Sequence, residues 1–180
     1  YENRYKNIMA CNTVIEAAET MTGNSAKIDA CLAQAHTLRA FNYFCLVNWY
    51  GLPYNKATAD KDMGVVLRLK SEVTRDEPTR SSVAQVYKQI NEDLDKALEY
   101  FKTAETSKSL FVVNKKVALL RKSRVALYTE QWDDVITYGS EIEKEGFNLY
   151  NIGTLSKDDM KNYETNWIFL TSQNPEIIFT

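Results

Sequence analysis

The sequence predicts an all-α fold, built of helical hairpins with one long loop insertion and short strands. Three observations carry that prediction. Apolar residues recur at helical spacing through residues 1–50 and 82–145. Only three prolines and six glycines interrupt the chain, so long regular elements are possible. The first two helical stretches are separated by only a few residues, which favours antiparallel packing as an αα-hairpin. At 180 residues the chain can close one domain around a real core, and is too short for two large ones.

The first helix is expected over residues 1–21, with Tyr1, Tyr5, Ile8, Asn12 and Ile15 on one stripe and Met9 beside it. Asn12 is a polar residue within an apolar stripe, so it requires a hydrogen bond from a neighbouring loop or helix. Gly23, Asn24 and Ser25 end this helix and offer caps for the next. The second helix, residues 25–50, is apolar on two faces: Leu38, Phe41, Cys45 and Trp49 form one stripe, and Leu32, Ala35, Leu46 and Tyr50 the other. A helix of that kind sits between neighbours in the middle of a core. Arg39 is the one charge between Gln34 and the end of this run, and needs a partner or an exit to solvent. Gly51 and Pro53 stop the helix.

Residues 51–79 lack helical periodicity. Gly64-Val65-Val66-Leu67-Arg68-Leu69 has the composition of a short strand. The segment is either a functional surface or a cover that closes the core. The third helix opens on a capping box, Ser82 with Gln85, and carries Val83, Val86, Tyr87, Ile90, Leu94, Ala97, Leu98 and Phe101 at 3–4 spacing. Glu92, Asp93, Asp95 and Lys96 are expected off that stripe. After a polar linker at residues 103–109, helices are expected over 114–129 and 131–145, with Gly146 as the C-terminal cap. Trp132, Val135, Ile136, Gly139 and Ile142 give the last helix its packed face. The pair resembles a tetratricopeptide repeat, with small Ser123 and Ala126 on one helix, Trp132 opening the other, and Gly139 where the helices approach. One pair cannot bury its own face, so the other helices must stack against it. Trp167-Ile168-Phe169-Leu170 and Ile177-Ile178-Phe179 are two short apolar runs, the second strand-like. Both ends read as cut: Tyr1 opens inside a helical pattern, and Thr180 follows the last apolar run directly.

Composition excludes several function classes. With 22 basic and 24 acidic residues and no long basic block, nucleic acid is not expected as a partner, because phosphate neutralisation needs clustered Lys and Arg. The densest positives, Lys115-Lys116 and Arg121-Lys122 with Arg124, suit a solvated helix face. There is no run of 18 apolar residues to span a membrane. Cys11, Cys31 and Cys45 lie beside apolar residues without a Cys-x-x-Cys pattern, so buried free thiols are expected rather than a disulfide or metal site. His36, the single histidine, sits mid-helix, with no second histidine for zinc and poor placement for a nucleophilic triad. Glycine-rich phosphate loops and calcium loops are absent from the pattern. The adjacent pairs Asp60/Asp62, Asp133/Asp134 and Asp158/Asp159 look like surface charge rather than a hydrolytic carboxylate pair. No enzymatic activity, cofactor or metal is expected.

Six motifs in order then point to a family. They are Tyr5-x-x-Ile8 with Asn12-x-x-Ile15, and Leu38-Arg39-Ala40-Phe41 running on through Tyr50-Gly51-x-Pro53. Gly64-Val65-Val66-Leu67 follows, with valine where proline is usual. Arg80-Ser81-Ser82-Val83 through Asp93-Leu94 and Ala97, Ala118-Leu119-Leu120 through Trp132, and Asn174-Pro175-Glu176-Ile177-Ile178-Phe179 complete the set. Together they resemble the SusD/RagB family, the surface glycan-binding lipoproteins of Bacteroidetes. The resemblance implies that residues 1–180 are the N-terminal helical-repeat portion of such a protein, in a tetratricopeptide-like fold. It implies capture of oligosaccharide or polysaccharide at the outer membrane, for a SusC-like TonB-dependent transporter. Membrane attachment would be only through a lipid anchor outside this sequence. The alternative is a helical-repeat adaptor that binds protein or peptide rather than sugar.

Sugar recognition needs an aromatic face for the apolar side of a pyranose ring, with Asn, Asp, Arg or Lys reading the hydroxyls. The eleven tyrosines suit either ligand clefts or helix–helix contacts. Candidates in terminal and non-helical segments are Tyr1 with Asn3, and Trp49, Tyr50 and Tyr54 with Asn55 around the Gly51 turn. Trp167 is a further possibility. Helix-end packing is the competing explanation for Trp49 and Tyr50.

Overall fold

A computed structural model describes residues 2–72, 78–107, 109–146, 149, 151, 153 and 176–178. It is all-α: the helices are α1 (Glu2–Ala17), α2 (Ser25–Tyr50), α3 (Val83–Tyr100), α4 (Lys115–Tyr128) and α5 (Trp132–Lys144). α2 packs between α1 and α3, α4 lies on α3 and meets α2 along an edge, and α5 packs on α4. None of these helices is long and apolar enough to cross a membrane.

The local signals explain the boundaries. Asn24 caps α2, its Oδ1 accepting from the Ala26 and Lys27 amides at 3.0 and 3.3 Å. Ser82 and Gln85 close the reciprocal box on α3, at 3.2 and 2.9 Å. Asn114 caps α4 through the Val117 amide. α1 ends at Ala17, one turn earlier than its apolar spacing suggests, and a single turn of backbone carries the chain to Gly23. Gly146 has φ +84°, the left-handed conformation expected of a glycine after a helix.

The core gathers Ile8 of α1, Ala40, Tyr43, Leu46 and Val47 of α2, Val83, Val86, Ile90 and Leu94 of α3, and Val125 of α4. A network of four buried polar side chains, Asn12, His36, Arg39 and Asp93, lies against it. Arg39 donates from Nε to Asp93 Oδ2 at 2.9 Å and from Nη2 to Asp93 Oδ1 at 2.6 Å, a bidentate pair. Its Nη1 donates to Asn12 Oδ1 at 2.8 Å. His36 Nδ1 donates to Asp93 Oδ1 at 2.8 Å. Asn12 completes the set by donating to the Arg68 and Lys70 carbonyls, both at 3.0 Å. Asn12 and Arg39 thus find the partners their positions require. Asp93, expected off the α3 stripe, is instead fully buried within it.

Residues 51–72 close the core rather than stand away from it, with Ala59 and Val65 buried in it. The short strand expected over residues 64–69 does not form: the only pairing there among the described residues is one isolated antiparallel bridge, Met63 with Ser82, and neighbouring backbone hydrogen bonds between Gly64, Val65 and Ser81. Side chains tie the segment down: Tyr43 Oη donates to the Arg68 carbonyl at 2.6 Å and accepts from the Arg68 amide at 2.7 Å. Tyr5 Oη donates to the Val66 carbonyl at 2.8 Å.

Other expectations change with the packing. Trp132 and Ile136 of α5 are 58% and 68% exposed, and among the described residues of α5 only Ile142 is buried. A Cβ on Gly139 would meet nothing within 4 Å, so the close approach lies instead at Ser123, whose Oγ donates to the Val135 carbonyl at 3.5 Å. Lys122 is buried and pairs with Asp95 at 2.5 Å instead of lining a solvated face. The three cysteines are free thiols, but only Cys11 is buried; Cys45 is half-buried and Cys31 exposed. Burial pushes the Cys11 thiol up to about 11.

Candidate functional site

The end of α2 is shaped by two close backbone approaches. A Cβ on Gly51 would lie 2.7 Å from the Val47 carbonyl, and one on Gly64 2.9 Å from the Ser81 carbonyl. Glycine at both positions lets the loop fold back against the helix end. Arg80 locks this corner, donating from Nε to the Gly64 carbonyl at 2.7 Å and from Nη2 to the Tyr50 carbonyl at 2.6 Å.

On this fixed corner Trp49 is 59% exposed and Tyr50 46%. The antiparallel α1–α2 hairpin brings the first turn of α1 beside it. The Arg4 guanidinium lies 5.2 Å from the Trp49 ring centroid, in cation–π range. It is anchored by a 3.2 Å hydrogen bond from Nη1 to Asn42 Oδ1. Asn3, adjacent in that turn, is exposed. Of the first turn of α1, it is Arg4, not one of the residues expected from the sequence, that meets the end of α2.

Tyr54 and Asn55 behave differently. Tyr54 is half-buried and packs edge-on against Tyr87, with centroids 5.1 Å apart. Tyr87 donates to Asn48 Oδ1 at 3.4 Å, and burial pushes its phenol up to about 12. Tyr54 thus belongs partly to the core, whereas Trp49 does not. Asn55 is exposed and uses Oδ1 to accept from the Ala57 amide at 2.9 Å, fixing the turn after the helix. Tyr1 and Trp167 lie outside the described residues.

The arrangement offers an exposed indole with a guanidinium beside it at one corner. That is the chemistry of stacking on a sugar ring with donors for its hydroxyls. Among the described residues no group of His, Cys, Asp and Glu side chains is arranged to hold a metal ion. Arg4 escaped the sequence reasoning because a lone arginine in an amphipathic helix carries no signal. Only the hairpin register, setting the start of α1 opposite the end of α2, could have found it.

Comparison with known proteins bears on the family and the fold. The sequence pattern of a SusD-like family, described as starch-binding and associating with the outer membrane, matches residues 1–127. Among solved structures, a SusD-like protein from Bacteroides fragilis NCTC 9343 is 32% identical, with a TM-score of 0.76 over 99% of this chain and 32% of its own. A SusD-like carbohydrate-binding protein from Bacteroides vulgatus ATCC 8482 is 25% identical, with a TM-score of 0.74 over 83% of this chain and 32% of its own. A SusD superfamily protein from Bacteroides thetaiotaomicron VPI-5482, at 22% identity and a TM-score of 0.75 over 90% of this chain and 35% of its own, speaks to the fold alone. The chain therefore spans about a third of the length of these structures. No curated protein matches it.

Proposed function

The chain belongs to the SusD-like family, and from that premise we propose that it serves in glycan capture at the outer membrane, delivering oligosaccharide to a SusC-like TonB-dependent transporter. The observation that carries this reading is Trp49. A large aromatic side chain that is 59% exposed, on a corner fixed by Arg80 and flanked by Arg4, suits a ligand platform better than helix-end packing. Asn3 and Asn55 supply amides on the neighbouring segments, and Tyr50 and Tyr54 border the same turn. In this reading the protein binds and does not transform its ligand, and a lipid anchor holds it to the surface.

Affinity electrophoresis through gels containing starch, other neutral glycans and acidic glycans tests the reading. Retardation by at least one polysaccharide, relieved in Trp49→Ala, is the expected result. Unretarded migration with every glycan would overturn it.

A second reading, a helical-repeat adaptor for protein or peptide, is favoured by one observation. Trp132 and Ile136 stand exposed on one face of α5, with Leu127 and Tyr128 exposed on α4. Exposed apolar surface of this kind suits a protein partner, and the two readings are compatible if that partner is the transporter. A Trp132→Ala/Ile136→Ser variant should then keep glycan retardation and lose capture of the transporter.

A further inference from the structure

The outer stripe of α2 continues from Trp49 back through Cys45 to Phe41, two turns and about 12 Å along the axis. Three arginines from two other helices gather on it. Arg121 of α4 lies 4.1 Å from the Phe41 centroid, and Arg4 of α1 lies 5.0 Å from it. Arg124, exposed, follows Arg121 on α4. Elsewhere in the described structure buried cations are neutralised, Arg39 by Asp93 and Lys122 by Asp95. Arg4, Arg121 and Arg124 make no ion pair among the described residues. Moreover, Arg121 Nε is buried with no hydrogen-bond partner. Burial, together with the positive charge of Arg124 and Arg4, pulls the Arg121 guanidinium below its ordinary range. All three arginine charges also act on the half-buried Cys45 thiol, lowering its pKa against the larger effect of burial, which raises it. Like charges held together without a counter-ion destabilise the free protein, and a bound anion relieves them.

We propose that Arg4, Arg121 and Arg124 form an acid-reading subsite beside Trp49 that makes the protein prefer glycans bearing uronic acids over neutral ones. The proposal rests on the glycan-binding reading above and names the substrate class for that corner. A guanidinium presents a planar fork that matches a carboxylate, and the stacked Arg4 and Arg121 are pre-oriented by the aromatic faces beneath them. Trp49 supplies the platform for the sugar ring, and the arginines read the carboxylates along the chain. An acidic protein segment could satisfy the same charges, but it would make little use of an open indole face continuous with them.

The test is calorimetric titration of the protein with an oligogalacturonide, a neutral gluco-oligosaccharide and poly-glutamate, repeated with Arg121→Gln, Arg121→Lys and Arg124→Gln. Arg124 is exposed, so its variant guards against loss of fold at Arg121, and thermal melts check both. The expected result is tighter binding of the oligogalacturonide than of the neutral sugar, weakened by salt. Its preference should fall about 10-fold or more in Arg121→Gln, the scale of one charge-assisted hydrogen bond. Lysine at 121 should restore only part of it. Equal or tighter binding of the neutral sugar, or an acid preference that survives both glutamine variants, overturns the subsite and leaves glycan capture standing. Binding of poly-glutamate alone, or of nothing, overturns both.

Discussion

Arg39 occupies a buried position that a charge can hold only with complete partnering, and Asp93, Asn12 and the ring of His36 provide it. Replacing Arg39 by Met leaves the Asp93 carboxylate buried without its main partner. The expected cost is about 3–5 kcal/mol, read as a shift in the urea midpoint with little change in slope. The same group sets a pH dependence. Burial alone would raise the Asp93 pKa, but hydrogen bonds from His36 and Arg39 and the Arg39 charge outweigh it and hold the carboxyl below its ordinary value. Because the folded pKa is the lower one, its stabilisation is complete above the unfolded value near about 4 and is lost as pH falls from there through the folded value. Denaturant melts should therefore show an acid limb beginning near about pH 4, and Asp93→Asn, already less stable at neutral pH, should flatten it. The sequence made half of this visible. Arg39 announced its need for a partner, whereas Asp93 stands among the charged residues Glu92, Asp95 and Lys96 and reads as solvent-facing until packing fixes the helix rotation.

Residues 64–69 show how a segment without regular structure is held by an element that has it. Tyr43 is fully buried, yet its hydroxyl both donates to and accepts from the backbone of Arg68. Tyr43→Phe removes both bonds while keeping the ring. A loss of about 1–3 kcal/mol is expected, with faster amide exchange at Arg68, because its amide would be left unsatisfied while its carbonyl keeps only the bond from Asn12. No change in exchange there would show that the loop is held by other means. On α3, Ser82→Ala breaks the capping box and should cost about 1 kcal/mol, seen as a lower thermal midpoint. The caps, the capping box and the helix starts of α2, α3 and α4 were legible because each depends on residues adjacent in sequence. The faces of α2 and α5 were less so. Periodicity gave two apolar stripes on α2, but only neighbours decide which is covered: Leu32, Ala35 and Leu46 are buried, while Phe41 and Cys45 are half-buried and Trp49 is open. On α5 the same ambiguity hid that Trp132 and Ile136 are exposed.

For the whole molecule, the family was legible because its motifs run in order through the helical core, from Tyr5 to Trp132. The candidate corner was legible only in part. Trp49 stood out as an aromatic at a helix end, but the arginines that frame it come from α1 and α4, separated from it by 45 residues on one side and 72 on the other. Spacing in one sequence holds no record of such a meeting. The central claim is that this corner binds sugar through Trp49. The most direct measurement is fluorescence titration of a Trp132→Phe/Trp167→Phe variant, in which Trp49 is the remaining tryptophan, with the glycan that retards the protein most. A saturable change in its emission, at the concentrations that retard the unmodified protein, is the predicted result. Emission that stays constant while the glycan still binds would place the sugar elsewhere and contradict the account.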